Sequence, residues 1–175
     1  PTSVSATRGS EQATVSWTEP DANGSAITAY TVTSDPEGLT ATTMGDTTTV
    51  VTGLTNGTEY TFTVTATNDV GESSASGASN SVTPAREPDA PTSVAATHGD
   101  SQAMVTWTAP SDNGGAITAY TVAAWDTVTT SEVDATTTGT TATVTGLTNG
   151  PAYTFTVTAT NDVGEGDLSD VSNSV

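Results

Sequence analysis

The chain has 175 residues, no cysteine, 20 acidic residues against two basic ones (Arg8 and Arg86), and a formal net charge of −18. Without thiols it holds no disulfide, thiolate zinc site or cysteine nucleophile, and charge of that sign repels a phosphate backbone, which excludes nucleic acid as a partner. No apolar run approaches the roughly 18 residues of a membrane-crossing helix, so we expect no membrane insertion but a soluble monomer with room for one or two small domains.

The first predicted strand of clear period two is "ATVSWT", in which Ala13, Val15 and Trp17 share one face and Thr14, Ser16 and Thr18 the other. The turn "DANG" follows, and then Tyr30 and Val32 alternate with Thr31 and Thr33. Beyond "DPEG" and "TNG", Tyr60, Phe62, Val64 and Ala66 alternate with Thr61, Thr63, Thr65 and Thr67, and "NDVG" closes the run. β-Branched threonine suits the solvent face of a sheet, and no long stretch carries the 3.6-residue period of an amphipathic helix. "TPAREPDA" at 83–90 then reads as a short, stiff linker, because Pro84 and Pro88 lie in it and Pro91 just after.

After the linker the pattern returns. The segment from Pro1 to Val32 reappears from Pro91 to Val122, and "LTNGTEYTFTVTATNDVGES" from Leu54 reappears as "LTNGPAYTFTVTATNDVGEG" from Leu147, with three residues inserted near "DTVTTSEVDATTTGT". "SNSV" ends each copy, at 79–82 and 172–175. The chain therefore divides into one domain at 1–82, a linker at 83–90 and a second domain of the same kind at 91–175. It starts at Pro1 and stops at Val175 in mid-pattern, so we expect any export signal, and further domains, to belong to a longer parent chain. About seven short strands in some 85 residues describe an antiparallel sandwich of two sheets. The fold class expected is all-β, two consecutive seven-stranded antiparallel β-sandwiches of immunoglobulin-like form.

At "LTNGTEYTFTVTATNDVGES", with a tryptophan in the second strand and "NGSAITAY" or "NGGAITAY" leading into the third, each copy resembles a fibronectin type III domain of the kind found in tandem in extracellular bacterial proteins. The resemblance implies that Trp17 and Trp107 fill the core from strand B. It also implies that Leu54 with Tyr60, and Leu147 with Tyr153, form a corner in which the tyrosine hydroxyl caps backbone at the E–F turn. An immunoglobulin domain would instead set its tryptophan on the third strand between two cysteines. The expected core is Trp17, Tyr30, Val32, Leu54, Tyr60, Phe62 and Val64 in the first domain. In the second it is Trp107, Tyr120, Val122, Leu147, Tyr153, Phe155 and Val157.

Chemistry is sparse. The one histidine, His98, stands in the A–B turn where the first copy has Arg8, which leaves no catalytic triad, and "SDNGG" and "GEGDLSD" lack phosphate-loop or calcium-loop spacing. No catalytic residue and no cofactor are expected, and the chain is not read as an enzyme. "NGS" at 23–25 and "NGT" at 56–58 are glycosylation sequons that read more simply as turns. The cell-attachment tripeptide Arg-Gly-Asp known in the family is absent: Arg8-Gly9-Ser10 and His98-Gly99-Asp100 approach it, but in the A–B turn.

The resemblance implies an extracellular or cell-surface role. The expected one is a spacer or stalk of an adhesin-like surface or secreted protein, whose partners are the neighbouring domains of the longer chain. The alternative is a recognition module, for carbohydrate or a surface protein, accessory to a secreted polysaccharide-degrading enzyme. Its candidate residue is Trp125, which replaces Asp35 of the first copy and which alternation from Tyr120 and Val122 turns onto the outer face of the sheet. The competing reading packs Trp125 on neighbouring threonines or on the inserted "TTSEVDATTT". The family's strand order also leads us to expect one or both of Arg8 and Arg86 to pair with acids at the domain junction, and makes Asp35, Glu37, Glu87, Asp89, Asp112, Glu165 and Asp167 candidates for calcium there. No loop among them has ligand spacing.

Overall fold

The computed structural model describes residues 1–126 and 132–175, except for the side chains of 132–134. The chain forms two compact units, Pro1–Ala85 and Arg86–Val175. In the first, β1 (Thr2–Arg8), β2 (Gln12–Thr18) and β5 (Thr48–Thr52) form one antiparallel sheet in the order β1-β2-β5. The other sheet runs β4-β3-β6-β7, from β3 (Ile27–Asp35), β4 (Thr40–Thr43), β6 (Thr61–Asn68) and the two-residue β7 (Gly71–Glu72). The second unit repeats the plan. Here β8 (Thr92–Gly99), β9 (Gln102–Thr108) and β12 (Thr141–Thr145) form one sheet, and β10 (Ala119–Asp126), β11 (Glu132–Thr137) and β13 (Tyr153–Thr160) the other, in the order β11-β10-β13.

Period two decides which side chains meet between the sheets. Along β2, Ala13, Val15 and Trp17 are buried, and along β6 Phe62, Val64 and Ala66, while Thr14, Ser16, Thr63 and Thr65 between them face outward. All fourteen residues expected in the two cores are buried. Trp17 tilts across Tyr30 with ring centroids 5.2 Å apart, and Trp107 across Tyr120 at 5.3 Å, both within the range in which aromatic pairs attract. The Tyr60 hydroxyl accepts the Thr55 N–H at 3.0 Å and the Tyr153 hydroxyl accepts that of Thr148 at 3.2 Å, the corner that the resemblance implied. Even an irregularity is copied: β1 and β8 each shift register after their first residue, with Ser3 and Ser93 at φ 51° and 56°.

Residues 73–82, where the seventh strand of the sandwich was expected, run along β6 without forming a regular ladder. Ser73, Ser76, Ser79 and Val82 donate their N–H groups to the carbonyls of Ala66, Val64, Phe62 and Tyr60, so three residues of this segment pass for every two of β6. A backbone carbonyl cannot return each bond at that spacing. The serine hydroxyls do so instead, accepting the N–H groups of Ala66, Val64 and Phe62 at 3.0, 2.9 and 3.1 Å. In the second unit Ser169 and Ser172 accept from Val157 and Phe155 in the same way, and Gly166 stands at the first rung. Asn80 and Asn173 then tie the segment to β1 and β8, each through two bonds to the backbone of Ala6 or Ala96.

Residues 83–90 divide between the units. Pro84 O accepts the Gly57 N–H and Ala85 N–H donates to Gly9 O within the first, whereas Arg86 and Asp89 donate to Asn113 O and Ser111 O within the second.

Candidate functional site

On β10, Tyr120, Val122 and Ala124 enter the core and Thr121, Ala123 and Trp125 take the outer face, as alternation requires. Trp125 is 41% exposed, yet its ring is held: Nε1 donates to Thr156 Oγ1 at 3.2 Å, and Thr156, which also faces outward from β13, is only 3% exposed. Part of the competing reading thus holds, since the indole packs on a threonine. The insert's residues 127–131 lie outside the described residues. Beside the ring a shallow depression of about 370 Å³ is bounded by Ala123, Thr158, Glu165 and Leu168, the last 58% exposed. Thr158 Oγ1 donates to Glu165 Oε1 at 2.6 Å, which fixes the carboxylate at its rim.

The first unit carries the same framework without the ring. Thr65 Oγ1 donates to Glu72 Oε1, also at 2.6 Å, but Thr33, Asp35 and Ala75 stand where the second copy has Ala123, Trp125 and Leu168.

Four of the seven acidic candidates for calcium, Glu37, Asp89, Asp112 and Glu165, turn their carboxylates to protein donors. Glu37 Oε2 accepts the Tyr60 hydroxyl at 2.8 Å, and Asp112 Oδ1 accepts the Gly114 N–H. Asp89 Oδ1 takes both Asn113 Nδ2 at 3.0 Å and Arg86 at 2.8 Å. The Asn113 amide, and then the Arg86 guanidinium, hold the Asp89 carboxyl below its ordinary pKa. Asp35 and Asp167 are exposed, and Glu87 offers its backbone carbonyl to Asn113 Nδ2. Among the described residues no group of three or more His, Asp or Glu side chains gathers as a metal site. Arg8 ends β1 and His98 is the penultimate residue of β8, opposite Ala13 and Ala103, so both stand on the ladder and not in the turn that the sequence suggested.

Sequence reasoning missed the seat that the second unit builds for its own leading segment. Asn161 Nδ2 donates to Arg86 O at 2.8 Å and Asn113 Nδ2 to Glu87 O at 2.8 Å. A Cβ on Gly166 would collide with the Pro88 carbonyl, and one on Gly115 would sit 2.8 Å from the Asn161 amide. The available signal was the pair of serines, Ser25 and Ser73, that the first copy has at these two positions. The sequon asparagine Asn56 is likewise a turn brace, its Oδ1 accepting the Glu11 N–H at 2.8 Å.

Comparison with known proteins agrees with this architecture. Residues 1–82 and 89–175 each match the family described as "Fibronectin type III domain". Chitinase A1 of Niallia circulans is 36% identical over 145 residues, which is 77% of this chain but 19% of that enzyme, so the chain spans about a fifth of this relative. Among solved structures, the FN1–FN3 domains of chicken CNTN1 superpose over 98% of the chain and 65% of their own length, with a TM-score of 0.54 at 22% identity. A structure of titin kinase and its flanking domains aligns over 52% of this chain and 17% of its own, with a TM-score of 0.49 at 31% identity. The chain belongs to the fibronectin type III family and carries the domain twice in tandem.

Proposed function

We propose that this pair is a non-catalytic spacer in a larger polysaccharide-degrading protein that works outside the cell. The observation that carries the reading is the match to Chitinase A1, which runs through most of this chain and a small part of that enzyme, as expected of a module appended to catalytic machinery. One feature supports it: the linker residues on either side of the Ala85–Arg86 bond are hydrogen-bonded into their own domains, as expected of consecutive self-contained modules. A chitinase also meets a polymer too large to enter a cell.

The test is made in the parent protein. Removing residues 1–175 should leave turnover of a soluble oligosaccharide within about twofold and lower turnover of the insoluble polymer several-fold, with at least partial restoration by an unrelated pair of fibronectin type III domains. Loss of activity on the soluble substrate would refute the non-catalytic assignment, and equal activity on both would refute the spacer role.

A further inference from the structure

We propose that the outer face of β10 and β13 in the second domain binds a neutral, extended sugar chain, with Trp125 as the stacking platform. The starting observation is where the two copies differ. Framework residues of this face are shared, down to the threonine–glutamate bond of 2.6 Å in each domain. Yet Thr33→Ala123, Asp35→Trp125 and Ala75→Leu168 all fall around one depression. Two of these positions lie on one strand and the third on a distant segment, and all three lose polar character or gain apolar bulk.

An exposed tryptophan alone is ordinary surface. This one is preorganised: its N–H is spent on Thr156, which the fold covers to 3% exposure, while 41% of the residue stays open to solvent. A fixed ring lowers the entropic cost of binding. The negative face of the indole attracts the polarised C–H groups of a pyranose, as an aromatic face attracts any positive edge. Glu165, held at the rim by Thr158, retains acceptor capacity for sugar hydroxyls, because an ionised carboxylate offers about four acceptor sites. Leu168 and Ala123 supply apolar contact beside it.

Size and charge select the ligand class. A volume of about 370 Å³ is at the lower end of small-ligand pockets, roughly 300–1,000 Å³, whereas a stable protein partner needs about 800 Å² of each surface. With a net charge of −18, an anionic polysaccharide is repelled. A neutral chain with flat, equatorially linked rings remains, and the proposal does not depend on the spacer reading.

The experiment is a titration of the whole chain with the β-1,4-linked hexamers of N-acetylglucosamine and of glucose, followed by tryptophan fluorescence and by amide NMR shifts. Saturable binding of at least one hexamer is expected, with shifts centred on residues 121–125, 154–158 and 165–168. Trp125→Ala should weaken it at least tenfold and Leu168→Ala severalfold, both with unchanged melting temperature. Placing the three second-copy residues in the first domain (Thr33→Ala, Asp35→Trp, Ala75→Leu) should create a second, similar site. No saturable response to either hexamer at millimolar concentration, or undiminished binding by Trp125→Ala, would overturn the proposal.

Discussion

Leu54 and Leu147 close their cores at 2% and 7% exposure, one residue before the threonine whose N–H the corner tyrosine accepts. Replacing either by alanine leaves a cavity that a small sandwich cannot fill, so we expect a loss of about 2–5 kcal/mol in the domain concerned, measured by denaturant melts. Gly166 is a different kind of critical residue, since any side chain there meets the Pro88 carbonyl. Gly166→Ala should lower the melting temperature of the second domain, whereas Ser73→Ala, at the matching position of the first, meets no such clash and removes only the hydroxyl's bonds to Ala66 N–H and Ser74 O. Asp89 belongs to the same seat. Its carboxyl is held by Asn113 and Arg86 below the ordinary carboxylate range. A depressed folded pKa adds stability above the unfolded value that disappears as pH falls through the folded one. Melting curves of wild type and Asp89→Asn should therefore differ at neutral pH and converge as pH falls below the ordinary aspartate range.

At the scale of elements, β2, β3 and β6 were legible because one face of each is buried and period two is the direct imprint of that burial. The last segment was not legible as it stands. Its period is three, and serine hydroxyls perform the acceptor role that a strand would leave to its carbonyls, so neither alternation nor β-propensity marks it. The arrangement has a use: an edge that runs three residues against two offers no regular ladder to another chain. Ser76→Ala leaves the Val64 N–H without its acceptor and should cost about 1–3 kcal/mol. Ser74→Ala, an exposed change between rungs, should stay within about 0.5 kcal/mol. The outward turn of Trp125 followed from alternation, but the burial of Thr156 beneath it did not, since that depends on how the indole lies across the strands.

In the whole molecule, duplication made the architecture readable, and departures from duplication carry what is specific to each copy. The shared residues build a sandwich twice: the tryptophan–tyrosine pair, the corner, the serine rungs and the asparagine clasp. Glycines 115 and 166 fit the second copy to its leading segment, and Ala123, Trp125 and Leu168 reshape one of its faces. Such differences were visible as letters, but only the folded positions show that they converge. Each copy forms a compact unit of its own, and the chain divides between Ala85 and Arg86. The decisive measurement is calorimetry of residues 1–85 and 86–175 produced separately. Each fragment is predicted to melt in one cooperative transition with the calorimetric and van't Hoff enthalpies equal; an unfolded fragment, or one that folds only in the presence of the other, would contradict it.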